Sequence, residues 1–245
     1  MDNLNGKVSV IVPVYNGSGF IESSLFEILK TLEKFLCPYE IIVVDDGSED
    51  DTFFKLKRFA QKYPQIILTR NKKNFGKGRA LKKGFRYCRG EWVVFMDADL
   101  SLHPEQISTF FDIMLLDEAD VVIGSKFHPN SRLNYPLLRR ILSLGYYYLI
   151  KILFGLPVRD TQTGLKLFKY EILERVFPKI LVKRFAFDVE VLVNVHRLGY
   201  KIVEAPVKLD QHWQSSVDLS SILNIFKDTL AIFYRLYILR YYRRF

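Results

Sequence analysis

The sequence predicts an α/β protein with a mainly parallel sheet flanked by helices and an amphipathic helical extension at its C-terminus. Three observations carry this. Five short apolar runs, Val8–Val14, Ile41–Val44, Ile66–Leu68, Val93–Met96 and Val121–Ile123, alternate with longer helical stretches in the first half of the chain. The runs are continuous rather than alternating, as in strands buried on both faces. Three of them end in polar residues, at Tyr15-Asn16, Asp45-Asp46 and Asp97-Asp99, and parallel strands bring such ends to one sheet edge.

Each element has a local reason. Pro13 closes the first strand, Asn16-Gly-Ser-Gly follows as a loop, and Ser18 is placed to open a helix over Ile21–Leu36. The second strand runs into Asp45, Asp46 and Gly47, ahead of a helix over Asp51–Tyr63 that carries Phe54, Leu56, Phe59 and Ala60. After the Ile66–Leu68 strand comes the basic, glycine-bearing loop Asn71–Gly78, then a helix over Arg79–Cys88. Pro104 suits the first turn of a helix reaching Leu116. In the second half, Phe187, Val191, Val195 and Leu198 repeat at helical spacing, and Lys201–Val207 reads as an edge strand because of Pro206.

A chain of 245 residues with 49% hydrophobic content is large enough for one α/β core. The net charge of +9, from 36 Lys and Arg against 27 Asp and Glu, points to an anionic partner. Nucleic acid is not the expected one, because the basic residues are dispersed and no recognition motif occurs. Cys37 and Cys88 have no metal-ligand spacing and imply no disulfide framework, which fits a reducing, cytoplasmic setting. Met1–Lys7 lacks an apolar signal core, and no uncharged apolar run reaches the ~18 residues of a membrane span.

The chemistry gathers at the strand ends. Asp97 and Asp99 flank the small Ala98 at the end of a buried strand, where both can reach one hard cation. Carboxylates collected at one edge repel each other unless something cationic joins them. In Asn74-Phe-Gly-Lys-Gly-Arg-Ala, Gly76 and Gly78 flank Lys77 at a helix start, letting backbone N–H groups approach an anion. It is neither a Walker loop nor G-x-G-x-x-G. Asp188 and Glu190, two residues apart on a helix, do not share a face, and Asp188 is taken as the site residue. The histidines, His103, His128, His196 and His212, are scattered.

Taken together, Pro13-Val-Tyr-Asn, Val44-Asp-Asp-Gly-Ser, Asn74-x-Gly-Lys-Gly-x-Ala and Asp97-Ala-Asp-Leu-Ser resemble, in order and spacing, glycosyltransferase family 2 with the GT-A (nucleotide-diphospho-sugar transferase) fold. Arg139-Arg-Ile-Leu-Ser, Arg159-Asp-Thr-Gln-Thr-Gly-Leu-Lys-Leu-Phe and Phe185-Ala-Phe-Asp-Val-Glu resemble its dolichyl-phosphate β-glucosyltransferase and bacterial polyprenyl-phosphate branch. The resemblance spans about Lys7 to Val217. It implies a nucleotide-sugar donor, UDP-glucose first, and a polyprenyl (dolichyl or undecaprenyl) monophosphate acceptor, in an inverting, metal-dependent hexosyl transfer. Tyr15, Asp46 and the Pro13 turn, with Asn16 beside them, would hold the base and ribose. Gly76, Lys77 and Gly78 would border the nucleotide, and Asp97 and Asp99, around Ala98, would hold Mg2+ or Mn2+ against the diphosphate. Lys126, Arg139 and Ser143 fall where the family places its acceptor-phosphate residues, while Asp160 and Gln162 would touch the sugar or shape the acceptor loop. The acceptor phosphate is already ionised near neutral pH, so no histidine base is required.

The chain departs from the family pattern at four places. Gly17 stands where Glu often follows the Tyr-Asn pair, and Lys126 stands where Arg is frequent, giving up bidentate phosphate contact. Ser101 replaces the Gln of many polyprenyl-phosphate mannosyltransferases, which favours the glucosyl branch over a GDP-mannose enzyme. The basic residue common near Ser216 is missing from Trp213-Gln-Ser-Ser-Val. A family 2 enzyme acting on a glycan and a sugar nucleotidyltransferase are weaker alternatives. The latter usually has a basic glycine-rich loop straight after the first strand, where this chain has Tyr15-Asn-Gly-Ser-Gly-Phe.

The expected organisation is a GT-A domain over residues 1–214 and a membrane-associating segment over residues 215–245. Tyr135–Phe154 and Leu219–Phe245 both combine aromatic and aliphatic residues with Lys and Arg, as interfacial helices do. The protein is expected on the cytoplasmic face of a membrane as a peripheral enzyme, with a membrane-protein partner or a homo-oligomer left open.

Overall fold

The computed structural model describes residues 6–132, 137–184, 186–209 and 219–243. Four strands, β1 (Val8–Val14), β2 (Tyr39–Asp45), β3 (Ile66–Arg70) and β4 (Trp92–Phe95), alternate with helices α1 (Ile21–Leu32), α2 (Thr52–Lys62) and α3 (Lys77–Phe85). A single 3-10 turn at Pro104–Gln106 then leads into α4 (Ile107–Leu116) and β5 (Val121–Ser125). The second half contributes α5 (Leu137–Phe154), β6 (Lys166–Lys169), α6 (Tyr170–Val176), α7 (Phe187–Arg197), β7 (Ile202–Pro206) and α8 (Leu219–Phe233).

The strands form one sheet in the order β3-β2-β1-β4-β6-β5-β7. β1, β2, β3 and β4 are mutually parallel, so the three polar strand ends do reach one edge. β7 takes an edge of the sheet, parallel to β5, with Pro206 as its last residue. The sequence did not predict β6. This short strand runs antiparallel between β4 and β5 and separates two strands that would otherwise be neighbours.

Helices cover both faces, and the pleat sorts side chains between them. Val93 and Phe95 of β4 join the core beneath α3, α6 and α7. Val94 and Met96 point the other way, into the core beneath α1, α2 and α4. Helix ends fall close to the expected positions. The first helix stops at Leu32 rather than Leu36, and α3 begins at Lys77 rather than Arg79.

The domain boundary expected at residues 214 and 215 lies outside the described residues. From Leu219 onward the C-terminal segment packs on the domain: Ile232, Leu236 and Tyr242 are buried in the same core as α3, α6 and α7. The helix passes into a π turn at Tyr234–Ile238, closed by Leu239 N–H donating to the Tyr234 carbonyl at 3.0 Å.

Phe95 sits at the centre of this arrangement, 1% exposed, with its ring 4.8 Å from that of Phe168 on β6. Phe95→Ala is expected to lower unfolding free energy by about 3–5 kcal/mol, read from urea denaturation monitored by circular dichroism.

Candidate active site

A cleft of about 510 Å³ opens where β1, β2 and β4 end. Of the residues singled out in the sequence, Pro13, Tyr15, Asp46, Gly76, Lys77, Asp97 and Asp188 line it. Open parallel sheets place ligands in this position because the strand ends leave a crevice between diverging loops.

On the β2 side, the two adjacent carboxylates do different work. Asp45 faces Arg70, 2.8 Å away, and accepts the Ser48 N–H at 3.0 Å. Asp46 accepts the Asn71 side-chain amide at 2.6 Å, the Phe75 N–H at 3.2 Å and the Gly76 N–H at 2.7 Å. Its charge therefore fixes the loop that carries Lys77, while one edge of the carboxylate remains at the cleft wall. Asn16 adopts a left-handed conformation (φ 50°), and its side chain accepts from Glu49 N–H at 2.9 Å. It joins the β1 loop to the β2 loop rather than lining the cleft.

Gly76 has φ 98°, a conformation L side chains rarely adopt, and a Cβ there would stand 2.6 Å from Cγ of Arg184. Gly78 lies within α3, and a Cβ there would strike the Phe187 ring at 2.4 Å. The two glycines thus let the start of α3 seat against the start of α7, which brings Lys77 and Asp188 into one cleft.

The β4 side follows from register. Phe95 pairs with Lys166 across the antiparallel β4–β6 ladder, so Asp97 falls opposite Gly164. A Cβ on Gly164 would lie 2.0 Å from Oδ2 of Asp97. Alternation puts Asp97 on the same face as Phe95, toward α3 and α7, and sends Ala98 into the opposite core at 6% exposure. The Ala98 side chain therefore faces away from the cleft, and Ala98 spaces the two carboxylates.

Four charges then meet. Lys77 Nζ pairs with Oδ1 of Asp97, and Lys166 Nζ lies 2.8 Å from Oδ1 of Asp188. Lys166, 1% exposed, also donates to the Thr163 carbonyl. Desolvation in the cleft works against charge on both Lys77 and Asp97, and the paired charges outweigh it. Asp97, Asp188 and Asp99 raise the pKa of Lys77, and Lys77 and Lys166 hold Asp97 below the usual carboxylate range.

Asp99 is exposed and accepts the Ser101 N–H at 3.0 Å. Leu100 between them has φ 50°, a strained choice for a bulky residue, and the strain sits in the turn that aims the two carboxylates. No cluster of three or more His, Cys, Asp or Glu suited to a metal occurs among the described residues. Two carboxylates with oxygen-only chemistry fit a hard divalent cation that fills its remaining positions with water and phosphate oxygens.

Beyond Asp97 lies a second, smaller pocket of about 40 Å³, lined among others by Lys126, Ser143, Tyr146, Arg159 and Gln162. Asp160 organises it. Its carboxylate accepts the Lys126 and Gln162 N–H groups, both at 3.0 Å, and lies 3.6 Å from Lys126 Nζ. Glu204 of β7 accepts the Arg159 and Asp160 N–H groups at 2.6 and 3.1 Å, tying this loop to the sheet edge. Tyr146 meets Thr229 of α8 at 3.1 Å, and burial pushes its phenol up to about 12. The Arg139 side chain lies outside the described residues.

Gln162 lines both cavities. Its Nε2, together with Oγ1 of Thr161 and of Thr163, is buried without a hydrogen-bond partner. Such groups are uncommon in folded proteins, and two of these residues, Thr161 and Gln162, line the smaller pocket.

The reading of the residues assigned no role to Lys166 or Arg184. Lys166 stands inside the quoted Asp-Thr-Gln-Thr-Gly-Leu-Lys run, but its burial, and so its need for a carboxylate partner, shows only in the fold. Arg184 lines the cleft from a loop between α6 and α7, and nothing in the local pattern marks it. Glu190, the alternative to Asp188, is fully buried away from the cleft.

This architecture is the GT-A fold of glycosyltransferases. It is shared with glucosyl-3-phosphoglycerate synthase from Mycobacterium tuberculosis, solved with Mn2+, UDP-glucose and phosphoglyceric acid, at a TM-score of 0.67 and 20% identity over 94% of this chain and 79% of that one. Residues 9–177 match Glycosyl transferase family 2. Similar curated sequences include dolichyl-phosphate β-glucosyltransferases of Dictyostelium discoideum, 35% identical over 93% of this chain and 74% of that one, and of Trichomonas vaginalis, 33% identical over 92% and 71%. The chain belongs to glycosyltransferase family 2.

Gly164→Ala tests the register argument. The added methyl must displace the Asp97 carboxylate, so the variant is expected to fold normally by circular dichroism and to lose about 10–100-fold in Mn2+ affinity by calorimetry. Unchanged Mn2+ binding would show that Gly164 does not set Asp97.

Proposed function

We propose that this protein is an inverting hexosyltransferase that moves glucose from UDP-glucose onto a polyprenyl monophosphate. The observation that carries this is the junction at Gln162, where an acidic-and-basic cleft containing Asp97 and Lys77 meets a pocket lined by Lys126 and Ser143. Two phosphate-bearing substrates can converge there with the transferred sugar between them. The names of the similar enzymes support a dolichyl-phosphate acceptor and a glucosyl donor.

The roles follow from charge. Tyr15, Pro13 and the loop pinned by Asp46 receive the nucleoside. Lys77 opens α3, where its ammonium and the helix N-terminus both favour the diphosphate. Asp97 and Asp99 would hold Mg2+ or Mn2+, which when bound would supply further neutralisation of the leaving group. Lys126, Ser143 and Arg139 orient the acceptor phosphate, whose oxygen attacks the anomeric carbon as the UDP oxygen departs on the opposite side, inverting the centre. Asp188 is held by Lys166 at the sugar side of the cleft. Positioning and electrostatics do the work, since the nucleophile arrives ionised.

The acceptor implies a bilayer. No helix among the described residues is long and apolar enough to cross one. Leu223, Phe226, Leu230, Tyr234 and Tyr237 are exposed at helical spacing along α8 and its continuation, and Leu142, Tyr148 and Ile152 are exposed on α5. With exposed Lys151 and Lys227, these faces suit insertion of apolar side chains at an acidic headgroup surface. The cytoplasmic face is the reading that the sequence favours.

A donor panel with a short polyprenyl phosphate, run with and without EDTA, is the direct test. UDP-glucose should be consumed, EDTA should stop the reaction, and Asp99→Ala should remove turnover. Transfer from GDP-mannose instead would reassign the branch, and no transfer from any UDP- or GDP-sugar by folded protein would end the proposal. For the surface role, Leu223→Glu with Leu230→Glu should weaken sedimentation with phosphatidylserine vesicles while leaving UDP binding intact. Equal vesicle binding would remove α8 from the membrane contact.

A further inference from the structure

We propose that Arg235 and Tyr242, near the end of the chain, are positioning residues for the donor cleft, acting through Glu190 on the loop that carries Arg184. This rests on the donor reading of the cleft given above.

Glu190 is fully buried on α7 and uses both oxygens. Oε2 accepts the Leu181 N–H at 2.9 Å and the Val182 N–H at 2.7 Å. Oε1 accepts Arg235 Nη2 at 3.1 Å and the Tyr242 hydroxyl, and Tyr242 is itself met by Arg235 Nε at 3.1 Å. A buried carboxylate keeps its charge only when paired and hydrogen-bonded. The C-terminal segment supplies Arg235 as that pair and Tyr242 as a further donor, so it sets the condition under which Glu190 can grip residues 181 and 182.

The gripped loop leads straight to the cleft. Its other side is held by α3, where Arg79 N–H donates to the Lys183 carbonyl at 3.2 Å and Lys82 Nζ to the Ile180 carbonyl at 2.8 Å. Arg184 follows, lining the cleft and packed so closely on Gly76 that a Cβ there would collide with it. Arg184 is therefore aimed by two clamps, α3 on one side and Glu190 on the other.

The backbone supports a dedicated role. Arg235 is the second residue of the π turn at Tyr234–Ile238. Such turns are rare and less favourable than continued α-helix, and they recur at functional places. Leu236, inside the same turn, is buried in the core, while Tyr237 and Ile238 are exposed. One short segment thus faces the surface and reaches Glu190 at the same time.

The test is a double-mutant cycle on the full chain, with Mn2+-dependent UDP binding measured by calorimetry. Arg184→Ala and Arg235→Met are each expected to weaken binding about tenfold, and the double variant no more than Arg184→Ala alone. Arg235→Lys should recover most of the loss, because the charge and not the packing is at issue. Should Arg235→Met fail to fold, Tyr242→Phe replaces it in the same cycle. Losses that multiply to about a hundredfold would overturn the coupling while leaving the donor reading in place. Wild-type protein that binds no UDP with Mn2+ would overturn the donor reading itself, and this proposal with it.

Discussion

The ion pair between Lys77 and Asp97 is the interaction on which the site depends. A carboxylate at the end of a buried strand is costly unless a cation meets it, and here the cation comes from the first turn of α3. For Lys77 to arrive there, α3 must start close to α7, which requires glycine at 76 and 78. For Asp97 to stay aimed at the cleft, β6 must present no side chain opposite it, which requires Gly164. Lys166 and Asp188 then complete an alternation of charges whose sum is near zero. For the proposed reaction, a diphosphate and a divalent ion would offset each other's charge in such a site.

The acceptor side shows a different strategy. Asp160 and Glu204 use their carboxylates on backbone N–H groups, tying the Arg159–Gln162 loop both to Lys126 after β5 and to β7. Within it, Thr161, Gln162 and Thr163 each keep a buried polar atom without a partner. Thr161 and Gln162 line the smaller pocket, and Gln162 reaches the larger cleft as well.

Much of the architecture was legible in the sequence for a simple reason. Strands buried on both faces must be continuous apolar runs, and five of them announce themselves. The residues at three strand ends were legible as neighbours because parallel strands share an edge. β6 was not legible: Lys166-Leu-Phe-Lys is short and carries lysine at both ends, and a buried lysine makes sense only once Asp188 is seen beside it. Arg184 was hidden for a related reason, since its loop is held by Glu190, which is itself met by Arg235 and Tyr242, partners distant in sequence. The C-terminal segment read as an amphipathic surface helix, and its apolar stripe is real. The pattern could not reveal that its opposite side, Ile232 and Leu236, belongs to the core.

The antiparallel insertion of β6 has a consequence for how the chain comes off the ribosome. β4 and β5 are made early, yet the strand that joins them lies more than forty residues beyond β5's start. Until Lys169 has emerged, the facing edges of β4 and β5, rich in Val, are unpaired, the kind of surface that recruits foreign strands. The sheet therefore cannot grow outward in order of synthesis, and its centre is among the last places to close.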